Sequence, residues 1–170
     1  DVGSIPTVRI SMTKTNLTKI SAGTVAKLRT WITVDRAAIK HNHTYFRKRI
    51  GQERQLMAIV KSNAYGHGLL GTAELLEQLG ADWLGVDSVM EALALRRAGI
   101  KTNILVLGYT RPAQLALAQR KNISLTISSC EMLAVALKFN LNIHLKVDTG
   151  MHRQGFLLSE FNEALKILNS

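Results

Sequence analysis

The sequence predicts an α/β protein built around a parallel sheet. Short continuous apolar runs, such as Leu56–Val60 and Ile143–Val147, are typical of strands covered on both faces. Between such runs, apolar residues recur at helical spacing, and glycines at 51, 80 and 99 stand where those helices should end. Strand and helix patterns alternate about every 25 residues, which is typical of consecutive βα units and a parallel sheet.

The elements are predicted in chain order, beginning near Trp31. Residues 1–30 show no sustained period and are expected to form an extension or linker, with disorder as one alternative. Strands are predicted over Thr30–Val34, Leu56–Val60, Trp83–Val86, Ile104–Leu107, Ile123–Ile127 and Ile143–Val147. Helices are predicted over Ala37–Ile50, Leu70–Leu79, Val89–Ala98, Pro112 to about Arg120, a Ser128 or Ser129 cap to Phe139, and Leu158–Leu168. A loop is expected between Lys61 and Gly68.

Periodicity alone does not decide the architecture of this sheet. After the first helix there are five predicted buried strands, each followed by a helix, within a single domain of residues 31–170. Five units do not close an eight-stranded barrel. Either the chain holds a truncated (β/α)8 barrel, or the five strands form a complete doubly wound sheet.

Composition excludes several classes of function. The net charge is +10, yet the basic residues are scattered, and no motif of a nucleic-acid-binding module is present. No apolar run approaches the roughly 20 residues that cross a bilayer, and no secretory signal precedes the first helix. Cys130 is the single cysteine, which excludes an internal disulfide and suits the cytoplasm. The histidines do not stand at metal-ligand spacings, so no metal is expected.

The loop after the first buried strand carries a candidate nucleophile, Lys61. A lysine amine attacks aldehydes only when neutral, and burial favours the neutral form. Tyr65 could donate a hydrogen bond to an anion, and the glycines at 66 and 68 leave backbone N–H groups accessible to a ligand. The alternative is a solvated lysine beside a glycine turn. His67 is interpreted as a hydrogen-bonded loop strut.

The loop after the fifth buried strand carries Lys146 and Arg153. An unpaired charge inside an apolar strand is costly, so Lys146 must meet a partner, solvent or a functional cavity. Arg153 offers a planar fork for a carboxylate. The alternative is a structural ion pair between Arg153 and Asp148. Elsewhere, Asp87 and Glu91 stand four residues apart, which helix capping and solvation explain.

Together these loops resemble the alanine racemase family of fold-type III enzymes that use pyridoxal 5'-phosphate (PLP). Residues 58–68, AIVKSNAYGHG, resemble that family's PLP-attachment motif, and residues 146–156, KVDTGMHRQGF, resemble a second family motif. Weaker similarity lies between them, at Leu84–Val86, Glu91–Arg96, Ala98–Ile100 and Ile104–Gly108. The resemblance runs from about Trp31 to Phe156.

The resemblance implies a (β/α)8 barrel followed by a β-rich domain, so that this chain would be the N-terminal barrel portion. It implies that Lys61 carries PLP as a Schiff base and acts as one of two bases, and that Tyr65 lies near the cofactor phosphate. Arg153 would contact the substrate carboxylate and the PLP phenolic oxygen, and Lys146 matches a lysine that is carbamylated in many members. The implied activity is interconversion of L- and D-alanine for peptidoglycan, by a cytoplasmic homodimer.

Some points stay open at this stage. In the family the second base is a tyrosine of the later domain from a partner subunit, so the 170-residue chain alone is expected to be inactive; within it, Tyr65 or Tyr109 would be the first substitutes to consider. Ser62, His152 and Gln154 depart from the commoner residues of the motifs, which leaves substrate preference in doubt. The alternatives are a serine racemase, a non-catalytic PLP-binding relative, and a non-enzymatic α/β binding module.

Overall fold

The computed structural model describes residues 29 and 32–169, and these form a five-stranded parallel sheet flanked by helices. The strands are β1 (Met57–Ile59), β2 (Trp83–Val86), β3 (Asn103–Val106), β4 (Ser124–Ile127) and β5 (Ile143–Leu145). The helices are α1 (Arg36–Ile50), α2 (Lys61–Tyr65), α3 (Leu69–Gln78), α4 (Val89–Arg97), α5 (Leu115–Arg120), α6 (Cys130–Ala136) and α7 (Leu158–Leu168), with a 3-10 turn over Pro112–Gln114. In the described residues, no helix combines the length and apolar character needed to cross a membrane.

The strand order settles the architecture. Each strand pairs in parallel with the next one along the chain, in the order β1-β2-β3-β4-β5. A doubly wound sheet reverses its strand order at a switch point, whereas a barrel adds strands in sequence. The sheet therefore has barrel topology, with five βα units in the described part of the chain, which confirms the predicted fold class.

A ring contact across the sheet agrees with barrel curvature. The rings of Trp83 on β2 and His144 on β5 lie 5.4 Å apart, centroid to centroid. Three strand spacings separate β2 from β5, or about 14 Å in a flat sheet. The sheet therefore curves towards these two side chains, and its inner face is the one they occupy.

The central strands are buried and the two outer strands are not. All four residues of β4 and three of the four in each of β2 and β3 are buried. In contrast, β1 and β5 are only partly covered, and Ile59 is 41% exposed. The prediction of five buried strands is thus wrong for β1 and β5, because each has a strand neighbour on one side only within the described residues.

Helix ends follow short-range signals in the sequence. Asp35, Ser88 and Ser129 cap α1, α4 and α6 by accepting backbone N–H groups. Gly51 follows α1 with a φ of 79°, a left-handed conformation that glycine adopts without steric cost. The predicted cap at Ser129 and the predicted stop at Gly51 are confirmed, whereas the caps Asp35 and Ser88 were not predicted.

Some predicted boundaries differ from the structure. Ile32–Val34 form no strand, and the remaining residues of that predicted strand lie outside the described residues, as do residues 1–28 of the predicted extension. The helix that Pro112 opens begins as a 3-10 turn, and α6 ends at Ala136 rather than Phe139. The loop predicted from Lys61 contains the short helical turn α2.

Charged side chains fasten neighbouring βα units at the amino edge of the sheet. The Asp82 carboxylate pairs with Arg47 and accepts the Leu56 N–H at 2.6 Å. The Leu56 hydrogen bond and then Arg47 lower the pKa of Asp82. Arg96 donates to carbonyls at both ends of the next unit, including Thr102 at 2.8 Å and Asn122 at 2.9 Å.

Candidate active site

Lys61 lies at the carboxyl edge of the sheet, directly after β1. The buried Val60 N–H donates to the Gly85 carbonyl at 2.8 Å, which continues the β1–β2 ladder up to the residue before the lysine. The Lys61 side chain is 29% exposed. Strand pairing therefore fixes where this amine leaves the sheet, in the region where parallel α/β folds carry their functional residues.

The turn that follows Lys61 has an unusual backbone. Four successive non-glycine residues, 62 to 65, have φ between 52° and 56°. Left-handed conformation costs roughly 1–2 kcal/mol for each such residue, so the surrounding structure must hold this turn. Asn63 supplies part of that support, because its side-chain oxygen accepts the Leu69 N–H at 2.8 Å and its carbonyl accepts those of Gly66 and Gly68.

Glu91 supplies support from the next βα unit. One of its carboxylate oxygens accepts the Asn63 N–H at 3.2 Å, and the other accepts the Asp87 N–H at 2.8 Å. The interpretation of Glu91 as a capping residue is therefore confirmed, because its carboxylate accepts the Asp87 N–H just before α4 while Ser88 accepts the Glu91 N–H. It is incomplete, because the same carboxylate also reaches Asn63 in the preceding loop. In the sequence, a glutamate in the first turn of a predicted helix indicates only capping, so its contact with Asn63 was not predicted.

The second loop leaves β5 and closes on itself. The Lys146 N–H continues the β4–β5 ladder to the Ile127 carbonyl at 2.9 Å. Phe156, which is fully buried, donates its N–H to the Lys146 carbonyl at 2.8 Å and accepts the Asp148 N–H at 2.9 Å. Residues 147–155 thus form a loop pinned at its base by main-chain bonds.

Lys146 finds the partner that its position in an apolar strand requires. Its ammonium group donates to the side-chain oxygen of Gln154 at 3.3 Å. The amide nitrogen of Gln154 is buried and has no hydrogen-bond partner within the described structure. A buried donor of this kind is costly unless a ligand or modification supplies an acceptor.

Asp148 organises the loop and does not pair with Arg153. Its carboxylate accepts the N–H groups of Gly150 at 2.9 Å and His152 at 3.0 Å, and it lies 3.3 Å from the His152 ring nitrogen Nδ1. The two backbone hydrogen bonds, and then the neighbouring His152, lower the pKa of Asp148. The alternative of an Arg153–Asp148 ion pair is therefore wrong, and Arg153 lies exposed beside the cleft.

Both loops face one cleft of about 480 Å³. Its charged lining consists of Lys61, Lys146, Arg153 and Asp87. Asp87 lies 3.9 Å from the Lys61 amine, a contact that sequence reasoning missed. Three cations around one carboxylate create a positive cleft suited to an anionic ligand. Among the described residues, no group of three or more His, Cys, Asp or Glu side chains is arranged to hold a metal ion.

The aromatic candidates lie at different places. Tyr109 lines the cleft and is 65% exposed. Tyr65 is 62% exposed and is not part of the described lining, so its role near a phosphate stays a prediction. The His67 ring nitrogen Nδ1 lies 2.9 Å from the Ala64 carbonyl, as a loop strut would.

The sheet and the cleft together define a class of protein: an α/β-barrel protein with a lysine-centred cationic site at the carboxyl edge of its strands. The profile of the family "Alanine racemase, N-terminal domain" matches residues 34–170. This chain belongs to that family, which confirms the resemblance seen in the sequence.

Individual relatives and solved structures support the same family assignment. Alanine racemase 1 of Bacillus subtilis (strain 168) is 44% identical over 135 residues, which is 77% of this chain and 35% of the relative. The crystal structure of alanine racemase from Bacillus anthracis with bound L-Ala-P superposes with a TM-score of 0.77 at 36% identity, over 82% of this chain and 38% of that one. A histidine racemase from Leuconostoc mesenteroides superposes with a TM-score of 0.72 at 32% identity, over 79% and 38%. The chain thus spans little more than a third of the proteins it matches.

Proposed function

We propose that this chain is the barrel portion of a PLP-dependent amino-acid racemase that interconverts L- and D-alanine. The observation that carries the proposal is Lys61, whose amine leaves the end of β1 into a cleft that is also lined by the guanidinium of Arg153. Alanine is supported as the substrate because relatives that match most of this chain are alanine racemases. Because a histidine racemase is also similar, a second candidate is a racemase of another amino acid.

The residues of the cleft fit PLP, a small aldehyde with a phosphate group and a phenolic oxygen. Lys61 would hold it covalently through Nζ, and the guanidinium of Arg153 matches its negative charge. The unpartnered amide nitrogen of Gln154 is a donor without an acceptor in the same lining. When bound, PLP supplies an electron sink for the carbanion left by removal of the α-proton of an amino acid.

The protein groups then have separate tasks. Arg153 would bind the carboxylate of the amino acid with its planar fork, which fixes the position of the α-carbon. Lys61 Nζ would take or return the α-proton on one face, and racemisation also needs a proton-transfer group on the opposite face. In the described part of the cleft Lys61 and Lys146 are the amines, and Lys146 is engaged with Gln154. The 170-residue chain alone should therefore turn over slowly.

Lys146 is proposed as a carbamylated lysine. A carbamate would replace its positive charge by a negative one, and it would offer an acceptor to the buried Gln154 amide nitrogen. The full protein is further proposed to act as a cytoplasmic homodimer that supplies D-alanine for peptidoglycan. The single cysteine, Cys130, supports the reducing compartment.

The test of the proposal is the attachment of PLP to Lys61. The 170-residue chain is incubated with PLP and reduced with borohydride, and its peptides are mapped. We expect the pyridoxyl group on Lys61 and its loss in Lys61→Ala, whereas Lys138→Ala, a lysine outside the cleft, serves as the matched control and should retain it. Labelling on another lysine, or none, would sink the proposal.

The same preparation tests turnover. Conversion of L-alanine to D-alanine by the 170-residue chain with saturating PLP should be at least about 10²-fold slower than by a full-length relative, the usual cost of one missing proton-transfer group. Rapid turnover that Lys61→Ala abolishes would contradict this, and Tyr109 would then be the group to replace next.

Arg153 is tested by substitution with lysine, which keeps the charge but not the fork. We expect Arg153→Lys to weaken PLP binding by about tenfold, because a point charge replaces a planar pair of donors. The dissociation constant is measured by absorbance titration, and Arg36→Lys, on α1, is the matched control. Equal affinity for wild type and Arg153→Lys would remove Arg153 from the cofactor site.

A further inference from the structure

The Glu91 side chain ties the backbone of the Lys61 turn to the neighbouring βα unit. It lies in the first turn of α4, half-buried, and its two oxygens accept N–H groups from two different loops. One is the Asn63 N–H, two residues after Lys61, at 3.2 Å. The other is the Asp87 N–H at 2.8 Å. A carboxylate is a stronger acceptor than a neutral oxygen, so both bonds are charge-assisted.

The position of the contact matters because of the backbone it holds. Asn63 has a φ of 56° and lies inside the four-residue left-handed turn. The other bonds of that turn, from Ala64 to Val60 and from Gly66 and Gly68 to Asn63, lie within the turn and its flanks. They hold its shape, and the Val60 N–H bond to the Gly85 carbonyl anchors its base to β2, but none of them reaches the helix α4 of the neighbouring unit. The Glu91 bond comes from a residue 28 positions away, on the neighbouring unit.

The second bond of Glu91 places a cleft residue at the same time. Asp87 follows β2, lines the cleft, and its carboxylate lies 3.9 Å from the Lys61 amine. Its carbonyl accepts the Gly108 N–H at 3.1 Å, and a Cβ at position 108 would approach that carbonyl oxygen to 2.4 Å. Asp87 is therefore held by Gly108, which follows β3, on one side and by Glu91 on the other. One carboxylate thus binds the loop that follows Lys61 and the loop that carries Asp87 at the same time.

We propose that Glu91 is a positioning residue for Lys61: its carboxylate clamps the left-handed turn and the Asp87 loop together and so aims the amine into the cleft. This inference rests on the proposed function of Lys61. Glu91 itself does not line the cleft, and no described contact joins it to the Lys61 amine.

The experiment compares three variants of the 170-residue chain. Glu91→Ala removes both acceptors, and Glu91→Gln keeps one carbonyl oxygen and loses the charge. Glu131→Ala is the matched control, because it removes another first-turn carboxylate, on α6, and leaves both bonds of Glu91 untouched. Two readouts are taken: the rate of borohydride-trapped PLP labelling at Lys61, and amide hydrogen exchange at Asn63.

Glu91→Ala should slow Lys61 labelling about tenfold, the factor that corresponds to about 1.4 kcal/mol, a loss near the lower end for a hydrogen bond to a charged group. Exchange at Asn63 should become faster. Glu91→Gln should recover part of both effects, since its one carbonyl oxygen can still accept an N–H group. Glu131→Ala should label Lys61 at the wild-type rate.

Wild-type labelling in Glu91→Ala, or equal slowing in Glu131→Ala, would overturn the positioning role while leaving the proposed function intact. A wild-type chain that does not label at Lys61 would overturn the proposed function instead. In that case the rate of amide hydrogen exchange at Asn63, compared between wild type and Glu91→Ala, still tests whether Glu91 holds the turn, because that measurement needs no PLP.

Discussion

The two loops that meet in the cleft are held in opposite ways. The turn after Lys61 is strained and depends on Glu91, a residue of the next βα unit. The loop after Lys146 is held by its own residues, through Asp148 in its interior and Phe156 at its base. The first loop should therefore respond to changes elsewhere in the fold, whereas the second should respond to changes within itself.

This difference suits the roles proposed for the two loops. A covalent attachment point needs one fixed direction, which support from a second element provides. A loop that carries Arg153, exposed at the edge of the cleft, needs a firm base but leaves the side chain free to reach a ligand. The following substitutions disrupt the loop after Lys146 and test whether the turn after Lys61 is affected.

The largest effect is expected for Phe156→Ala. Phe156 is fully buried, packs against Phe161 with ring centroids 6.5 Å apart, and pins the loop base. We expect the free energy of unfolding to fall by about 3–5 kcal/mol, from lost burial and the resulting cavity. Urea denaturation measures it, and Phe46→Ala, at a side chain 55% exposed, should change stability by no more than about 0.5 kcal/mol.

Hydrogen exchange in Phe156→Ala sharpens the comparison. Amides of residues 148–154 should exchange faster, while that of Asn63 keeps its wild-type rate under conditions where the variant stays folded. Equal acceleration in both loops would mean that the two loops are not independent.

A smaller effect is expected for Gly155→Ala. Gly155 has a φ of 138°, and a Cβ there would lie 2.5 Å from the Asp148 backbone nitrogen. Gly150→Ala is its matched partner, since Gly150 has a φ of 127° and a Cβ there would meet no atom within 4 Å among the described residues. Both should lose stability through backbone strain, on the order of 1–3 kcal/mol, with Gly155→Ala at or beyond the upper end.

The pair of glycine variants separates strain from collision. Their thermal unfolding midpoints are compared directly. An equal loss in the two would show that the Asp148 backbone moves aside at little cost, and that the loop base is softer than its main-chain bonds indicate.

The smallest effect is expected for Asp148→Asn and concerns pH. The folded-state pKa of Asp148 is lowered, by backbone hydrogen bonds first, so its contribution to stability is present above the unfolded pKa of about 4. That contribution disappears as the pH falls through the lower folded value. Asp148→Asn should reduce stability at neutral pH and weaken its dependence on pH below about 4. Glu53→Gln, at an exposed carboxylate, is the control for loss of one charge.

Denaturation midpoints from pH 2 to 7 measure this effect. A wild-type curve and an Asp148→Asn curve that remain parallel throughout the acid range would show that the loop does not depend on the ionised carboxylate.

The convergence of Lys61, Lys146 and Arg153 was predictable from sequence, because the carboxyl ends of parallel strands lie at one edge of a sheet. The strand order was not, since periodicity carries no information about which strand pairs with which. The roles of Glu91 and Asp87 were also missed. Their contacts join residues 26 to 28 positions apart, and local spacing reports only neighbours on the same helix.

Asp148 shows a different limit. From charge alone, Arg153 was a possible partner for Asp148. In the structure the loop turns back at Gly150, and the Asp148 carboxylate instead contacts nearby N–H groups and the His152 ring. The left-handed turn was missed for a similar reason. Positive φ values at Ser62, Ala64 and Tyr65 run against residue preference and arise from the hydrogen bonds around them.

The sequential order of the strands also bears on how the chain folds. Paired residues such as Met57 and Trp83, or Leu125 and Ile143, are separated by similar lengths of chain along the whole sheet. Loop-closure entropy varies only slowly with length, so no strand pairing is entropically favoured to form first. Each unit can therefore add to its neighbour as repeats do in a solenoid, and the outer strands β1 and β5 should open before the middle of the sheet.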